Sequence, residues 1–232
     1  MHVRRTGTHV EVLTPSKLNL FLEVLARRPD GFHEIQTLIA PVSIYDTLTF
    51  QPRGEPGIKF DCRWAHGLTA RGLRECAGEN EGAFGDLPSG PDNLAWKAVE
   101  LLRGRAIEKR GARLTLVKRI PAAAGLGGAS SDAAAALVAA NLGWNLGWKR
   151  ERLAELAAEL GSDVPFFLTR GAALCRGRGE AIEPLRAAPL HVTVVRPPVG
   201  LATGDVYRCC RPATQPVSAQ PLREALECGK AA

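Results

Sequence analysis

A glycine-rich segment carries residue types that can bind phosphate. Glycines let backbone N–H groups approach an anion, and the N-terminus of a following helix attracts negative charge. Residues 113–117 before the segment alternate as in a strand, and residues 132–142 after it are rich in Ala and Leu, as in a helix. The two serines are expected to cap that helix, or to reach a phosphate oxygen or its metal. The predicted phosphate-binding loop reads Pro121, Ala122, Ala123, Ala124, Gly125, Leu126, Gly127, Gly128, Ala129, Ser130, Ser131.

This loop differs from two common phosphate-binding motifs. No Lys follows the glycines, as a Walker A motif requires, and Ser130 stands where G-x-G-x-x-G has its last Gly. From the residues alone, the alternative is a glycine-rich turn before a tightly packed alanine helix.

Lys17 and Asn19 form a second candidate group. Residues 17–24 alternate as in a half-buried strand, which places Lys17 and Asn19 on one face and a row of Leu and Val on the other. Two polar side chains at this spacing can reach one ligand. The alternative is a solvated outer face.

Asp163 and His33 are single residues whose positions are suggestive. Asp163 lies between Gly161, which closes a predicted helix, and Pro165, so it is either a turn former or a catalytic base. Phe32 and His33 follow the turn signal of residues 28–31. A His beside a turn is more often a surface or capping residue than a ligand.

The elements that position these residues have readable signals. One or two strands are predicted over 38–50, with a turn at Tyr45 and Asp46, and at most one short strand around 57–62 in a poorly patterned insert over 51–91. Asp92 and Asn93 cap a helix that runs to about residue 105, a second helix spans 149–160, and 191–196 is a strand. The mixture predicts an α+β protein.

Composition limits the class of partner. The chain has 232 residues, 45% of them hydrophobic, with a net charge of +6. The basic residues form no stripe and aromatics are only 6%, which favours a small anionic ligand over nucleic acid. No apolar run reaches about 18 residues, so no membrane partner is expected and the predicted location is cytoplasmic. A zinc site at Cys62, His66 and Cys76 lacks paired C-x-x-C spacing, so no metal ligands are predicted.

Four motifs together resemble one enzyme family. Residues 15–20, 28–34, 121–132 and 161–167 are similar to the 4-diphosphocytidyl-2-C-methyl-D-erythritol kinases, within the galactokinase, homoserine kinase, mevalonate kinase and phosphomevalonate kinase superfamily. The glycine loop marks only the superfamily, whereas Lys-x-Asn followed by Arg-Pro-Asp-Gly-Phe-His is more particular. The resemblance covers about residues 13–207, and the insert matches poorly.

The resemblance implies a fold, a reaction and roles for residues. It implies a two-domain kinase fold, with a ribosomal-protein-S5-domain-2-like domain over 1–170 and a truncated ferredoxin-like domain over 171–232. It implies ATP and Mg²⁺, phosphorylation of the 2-hydroxyl of the cytidine-containing substrate in isoprenoid precursor biosynthesis, and a monomer or weak homodimer. The implied catalytic pair is Lys17 and Asp163. The other implied contacts are Asn93 with adenine, the glycine loop with the ATP phosphates, Phe32 and Tyr207 stacked about cytosine, His33 with the base, and Asn19 with the substrate.

Two departures from the family keep other readings open. Phe32 stands where the family usually has Tyr. Nothing after Tyr207 matches the second glycine-rich segment that family members carry near the C-terminus, so the second domain is expected to be cut short. The alternatives are a kinase of another small alcohol, such as homoserine or mevalonate, and a non-catalytic ATP-binding homologue.

Overall fold

Seven strands form one sheet in the computed structural model, which describes residues 1–65, 87–106, 110–195 and 203–229. The main strand order is β1-β2-β3-β5-β4, with β6 paired to β3 and β7 paired to β6. Only β4 and β5 pair in parallel. The strands are β1 (His2–Thr6), β2 (His9–Arg27), β3 (His33–Arg53), β4 (Ile58–Trp64), β5 (Gly111–Lys118), β6 (Ala173–Gly177) and β7 (Ala181–Pro184).

The long antiparallel pair of β2 and β3 organises the sheet. The predicted turn at Tyr45 and Asp46 is wrong, because these residues pair with Pro15 and Thr14 inside one continuous strand. An irregularity follows at once, since Ser16 pairs with Val42. Extra residues at such a bulge bend a strand without ending it, and this explains why the local sequence looks like a turn.

Three helices cover one face of the sheet. They are α1 (Leu94–Arg105), α2 (Gly128–Gly143) and α3 (Arg150–Leu160), as the sequence predicts within a few residues. Asn93 caps α1, since its Oδ1 accepts a hydrogen bond of 2.9 Å from Ala95 N. Buried alanines of α2 allow a close approach to the sheet, and the main core also holds Phe50 and Trp144 in edge-to-face contact.

A smaller apolar cluster lies apart from this core. It joins Leu38 of β3 and Leu174 of β6 to Leu226, which belongs to the last of two further helices, α4 (Thr203–Cys209) and α5 (Gln220–Glu227). Because β6 pairs with β3, the predicted domain boundary after residue 170 falls inside the sheet. The division into two domains stays a prediction.

The predicted strand over 191–196 is wrong for its described part. Residues 191–195 have no strand conformation, and Val195 is 84% exposed. An alternating pattern forms a strand only where a neighbouring strand satisfies its backbone, and no described strand lies beside this segment. Arg196 lies outside the described residues.

Several sequence features lie outside the described ranges. Most of the 51–91 insert does, with His66 and Cys76 of the zinc site considered above. Cys62 is described, and burial raises the pKa of its thiol to about 11. Within the described ranges, no group of three or more His, Cys, Asp or Glu side chains is arranged to hold a metal. None of the helices in those ranges is long and apolar enough to cross a membrane.

Candidate active site

The glycine loop is held directly against strand β2. Lys17 N donates a hydrogen bond of 2.9 Å to Leu126 O. Gly127 follows with φ of +68°, in the left-handed region that favours glycine. A Cβ at Gly127 would lie 2.8 Å from Lys17 Cγ and 3.0 Å from Phe167 Cζ. Glycine therefore lets the loop reach the Lys17 side chain.

Lys17 brings the loop and Asp163 together. Its Nζ lies 3.4 Å from Asp163 Oδ2, and it donates a hydrogen bond to Asn19 Oδ1. Lys17 is 7% exposed, whereas the Asp163 side chain is 37% exposed. The carboxylate is thus reachable from solvent while the ammonium beneath it is enclosed.

The burial of residues on the two faces of β2 differs from the prediction made from the sequence. Lys17 is buried, whereas Leu22, expected on the apolar face, is 47% exposed. The alternation is interrupted because the pairing with β3 shifts between Asn19 and Phe21. The solvated-face alternative is therefore wrong for Lys17, although Asn19 is exposed.

The Asn19 amide is oriented by a short hydrogen-bond chain. Asn19 Nδ2 donates to Thr37 Oγ1 at 2.7 Å, and Thr37 Oγ1 donates to Phe21 O at 2.6 Å. The amide oxygen consequently faces Lys17. Nearby, burial raises the pKa of the Cys175 thiol to about 12, and the Asp163 charge adds to this shift. Cys175 is therefore a neutral neighbour of the pair.

The predicted capping role of the two serines is wrong. Helix α2 begins at Gly128 after Gly127, which makes no side-chain cap, so both serines lie inside the first turn. Ser131 is fully buried, with Oγ donating to Pro15 O at 2.5 Å and N donating to Gly127 O at 2.9 Å. Its polar groups hold the helix to β2, which leaves Ser130 as the partly exposed hydroxyl of the loop.

A buried charge cluster that sequence reasoning missed lies beneath the loop. Lys118 Nζ contacts Asp46 Oδ2 and Asp132 Oδ2, the latter at 2.5 Å. The other oxygen of Asp46 accepts from the backbone N–H groups of Arg119 and Ile120, where the chain enters the loop. The cluster joins the end of β5, the middle of β3 and the first turns of α2.

Asp132 is the exceptional member of this cluster. Its Oδ1 is buried without a hydrogen-bond partner. Burial raises the pKa of Asp132 to about 8, against the opposing effect of Lys118. Burial alone would lower the pKa of Lys118, but the two carboxylates raise it overall. Asp132 is thus a carboxyl group whose ionisation is opposed by burial and favoured by Lys118, with one oxygen left without a partner.

The predicted base-binding residues have two separate sets of neighbours. Tyr207 stacks on His33, with ring centroids 5.1 Å apart and an interplanar angle of 29°. Phe32 is 53% exposed, and Arg178 Cζ lies 4.7 Å from its ring centroid. Burial raises the pKa of Tyr207, and the Asp163 charge adds to the shift. A base between Phe32 and Tyr207 would share Phe32 with Arg178 and compete with His33 for the face of Tyr207.

Asn93, predicted to contact adenine, is buried and forms hydrogen bonds within the protein. Besides capping α1, its Nδ2 donates to Pro88 O at 3.0 Å, and its backbone N–H donates to Gly90 O at 3.0 Å. The residue is only 8% exposed, so a ligand has little access to the amide in this conformation. The predicted adenine contact stays a prediction.

Comparisons with known proteins found a matching family model and similar kinases. The model of the GHMP kinases N terminal domain matches residues 93–171, which contain Asn93, the glycine loop and Asp163. A 4-diphosphocytidyl-2-C-methyl-D-erythritol kinase from Pelotomaculum thermopropionicum is 43% identical over 226 residues, which cover 96% of this chain and 72% of that protein. The chain belongs to the 4-diphosphocytidyl-2-C-methyl-D-erythritol kinase family.

Other members of this kinase family and its structural neighbours agree. A Shouchella clausii kinase of the same name is 39% identical, over 84% of this chain and 60% of its own length. The crystal structure of a 4-(cytidine 5'-diphospho)-2C-methyl-D-erythritol kinase superposes with a TM-score of 0.70 at 36% identity, covering 95% of this chain and 72% of that one. A homoserine kinase from Cytophaga hutchinsonii, at 15% identity and a TM-score of 0.61 over 99% of this chain and 71% of its own, shares the fold.

These matches confirm the predicted α+β superfamily fold. The eight curated relatives compared are matched over 57 to 72% of their own lengths. The chain thus spans less than two thirds of the length of seven of these eight relatives, with shares of 57 to 65%.

Proposed function

We propose that this chain transfers the γ-phosphoryl group of ATP to the 2-hydroxyl of 4-diphosphocytidyl-2-C-methyl-D-erythritol, a step in isoprenoid precursor biosynthesis. The observation that carries the proposal is the meeting of Lys17 and Asp163 beside Gly127, at 3.4 Å between ammonium and carboxylate. Membership of the kinase family supports the choice of substrate.

The geometry assigns different tasks to the two charged groups. Phosphoryl transfer requires an acceptor hydroxyl to lose its proton as it attacks phosphorus. Asp163 is the solvent-reachable carboxylate of the pair, so it accepts that proton. The enclosed ammonium of Lys17 faces the carboxylate, and the side-chain carbons of Lys17 lie against the loop, so the ammonium would offset negative charge that develops nearby. The amide oxygen of Asn19 orients this ammonium.

The loop supplies the phosphate-binding groups. Gly125 and Gly127 both have positive φ, which turns loop N–H groups toward a common ligand, and α2 begins directly after them. Mg²⁺ generally needs one or two carboxylates or hydroxyls besides phosphates and water. The partly exposed Ser130 hydroxyl would contribute to holding such an ion. When bound, it would offset the negative charge of the phosphates.

The substrate's cytosine would lie at Phe32, His33 and Tyr207. Phe32 keeps the stacking surface of the tyrosine usual in the family and lacks its hydroxyl. ATP as the phosphoryl donor, a cytoplasmic location and a monomeric or weakly dimeric state belong to the same proposal.

Replacing Asp163 with Asn tests the proposed base. A general base contributes roughly 10²–10⁴ to the rate, so turnover should fall by at least about a hundredfold. Nucleotide affinity should change by less than about threefold, because the loop holds the phosphates. The assay is coupled ADP release with the cytidine-containing substrate, together with a nucleotide titration.

The matched control is Asp61→Asn, because Asp61 is a 66% exposed carboxylate on β4 at the other end of the sheet. It should leave turnover unchanged. An Asp163→Asn chain that keeps more than about a tenth of the parent rate contradicts the assignment of the base.

A further inference from the structure

We propose that Arg178 binds the diphosphate of the substrate. This inference rests on the function proposed above and adds a recognition residue to the same site. Arg178 lies in the turn between β6 and β7, a segment to which the sequence motifs assign no role.

The position of Arg178 matches the covalent order of the substrate. Its guanidinium lies over Phe32 at the base-binding end, with Cζ 4.7 Å from the ring centroid. The next residue, Gly179, lies against the catalytic pair, since a Cβ placed there would be 3.8 Å from Asp163 Oδ1. In the proposed substrate, the diphosphate lies between the cytidine and the alcohol that receives phosphate. Arg178 occupies the corresponding place in the site.

The guanidinium also has unused hydrogen-bonding capacity. Its one ion-pair partner among the described residues is Glu180, 3.9 Å from Nε and beyond hydrogen-bond distance, and the Asp30 carboxylate is a more distant electrostatic neighbour. Glu180 is fixed by another contact, because its Oε2 accepts from Arg178 N at 2.6 Å. The Arg178 side chain is 37% exposed. Its terminal N–H groups can therefore donate to two phosphate oxygens at once, which the planar guanidinium favours.

The other cation near Phe32 is already committed. Arg28 forms ion pairs with Asp30 at 3.1 Å and with Glu34 at 2.6 Å, so its fork is filled by carboxylates. Lys17 faces Asp163 and Asn19 at the transfer end. Arg178 is thus the cation best able to receive a diphosphate between the two ends.

Arg178 also leaves room for the base. Phe32 keeps 53% of its surface exposed with the guanidinium in place. A cytosine can stack on the open part of the ring while the 5′-diphosphate extends toward the guanidinium. Base and diphosphate would then be recognised by neighbouring groups.

Calorimetric titrations of Arg178→Gln and Arg178→Lys with two probes test this inference. The probes are cytidine 5′-diphosphate and cytidine. Hydrogen bonds to charged groups are strong, so Arg178→Gln should lower the affinity for cytidine 5′-diphosphate by about tenfold or more. The affinity for cytidine should change by less than about twofold. Arg178→Lys should recover part of the lost affinity for cytidine 5′-diphosphate. The matched control is Arg176→Gln, because Arg176 is a similarly exposed arginine of β6 that pairs with Glu183 at 3.0 Å.

The outcomes separate this inference from the function on which it rests. A parent chain that prefers the diphosphate probe, and an Arg178→Gln chain with the same preference, overturn the role of Arg178 alone. Equal losses for both probes also overturn it, because they would show an effect on the base. A parent chain that binds neither probe contradicts the cytidine substrate and this inference together.

Discussion

Gly125 and Gly127 share a backbone conformation but have different surroundings. Their φ angles are +71° and +68°, so a side chain at either position costs about 1–2 kcal/mol of backbone strain. A Cβ at Gly125 would meet no atom within 4 Å, whereas one at Gly127 would press on Lys17 and Phe167. This difference separates backbone strain in the loop from displacement of Lys17, the lysine of the proposed catalytic pair.

Gly127→Ala should therefore lower turnover much more than Gly125→Ala, and it should also lose more free energy of unfolding, because the contacts with Lys17 and Phe167 add to the backbone strain. We expect at least about a hundredfold loss for Gly127→Ala, because small displacements at the transfer site are costly. Steady-state ADP release and urea denaturation of both variants measure the two effects. Equal turnover by the two variants would show that contact with Lys17 is irrelevant to catalysis.

Phe32 and Tyr207 differ in their present neighbours but should act on the same ligand. Stacking contributes roughly 1–3 kcal/mol per base. Phe32→Ala and Tyr207→Ala should therefore each lower the affinity for cytidine by about fivefold or more. ATP affinity should remain within about twofold. Titration with each ligand gives both numbers from one preparation. A parallel loss of ATP affinity would mark the rings as structural.

At the scale of elements, the buried cluster under the loop joins three parts of the fold. Lys118 ends β5, Asp46 lies in β3, and Asp132 lies in α2. Breaking a buried ion pair by removing one partner generally costs 3–5 kcal/mol or so, because a charge is left uncompensated. The buried charge cluster beneath the loop therefore affects the stability of the whole sheet.

Asp132 should make stability depend on pH in a definite direction. Its pKa is about 8 in the folded chain and about 3.9 in an unfolded one. Between these values the folded state holds a proton that the unfolded state lacks, so this residue's contribution to stability falls as pH rises. Asp132→Asn removes the titration. The stability of the parent relative to Asp132→Asn should therefore decrease from pH 5 to pH 8.

Urea denaturation at several pH values measures that difference, with exposed Asp61→Asn as the control. The slope has an upper limit of about 1.4 kcal/mol per pH unit, the value for one proton. A difference that stays constant or grows with pH would show that Asp132 is ionised throughout the range.

The helices were predictable from sequence because their signals are local. Asn93 caps α1 with its own side chain, and Gly161 closes α3 within one turn. The cluster was not predictable, because Asp46 and Lys118 are 72 residues apart. Each taken alone resembles a surface charge. The same limit explains the error over 191–196, where an alternating pattern indicates a strand but contains no information about its pairing partner.

The site was predictable in part. Family motifs indicate Lys17 and Asp163, and the structure brings them together. The motifs do not indicate that Ser131 is enclosed against Pro15, since serines in a loop motif look alike in sequence. Arg178 was also missed, because its position over Phe32 depends on the pairing of β6 with β3.

At the scale of the whole molecule, two apolar clusters share one strand. Leu48 of β3 lies in the main core and Leu38 of the same strand in the smaller cluster. The 21 residues of β3 also pair with β2, β5 and β6. Local unfolding of the smaller cluster would consequently disturb strand pairing in the main core.

This continuity predicts a single unfolding transition. Leu226→Ala in the smaller cluster should cost about 2–5 kcal/mol, as should Leu156→Ala in the main core. Each substitution should lower the urea midpoint of unfolding by the same amount whether it is measured by tryptophan fluorescence or by circular dichroism. The buried Trp144 of the main core contributes to the fluorescence. A Leu226→Ala chain whose circular dichroism changes at lower urea than its fluorescence would show that the smaller cluster unfolds independently.

The hydrogen bond from Lys17 N to Leu126 O affects how the site responds to thermal fluctuation. The backbone of Lys17 holds the loop, and its side chain holds Asp163. The glycine loop and Asp163 are therefore both held by one residue of β2. A motion of this part of β2 should carry the loop and Asp163 with it. The transfer distance can thus stay constant on a scaffold that is itself moving.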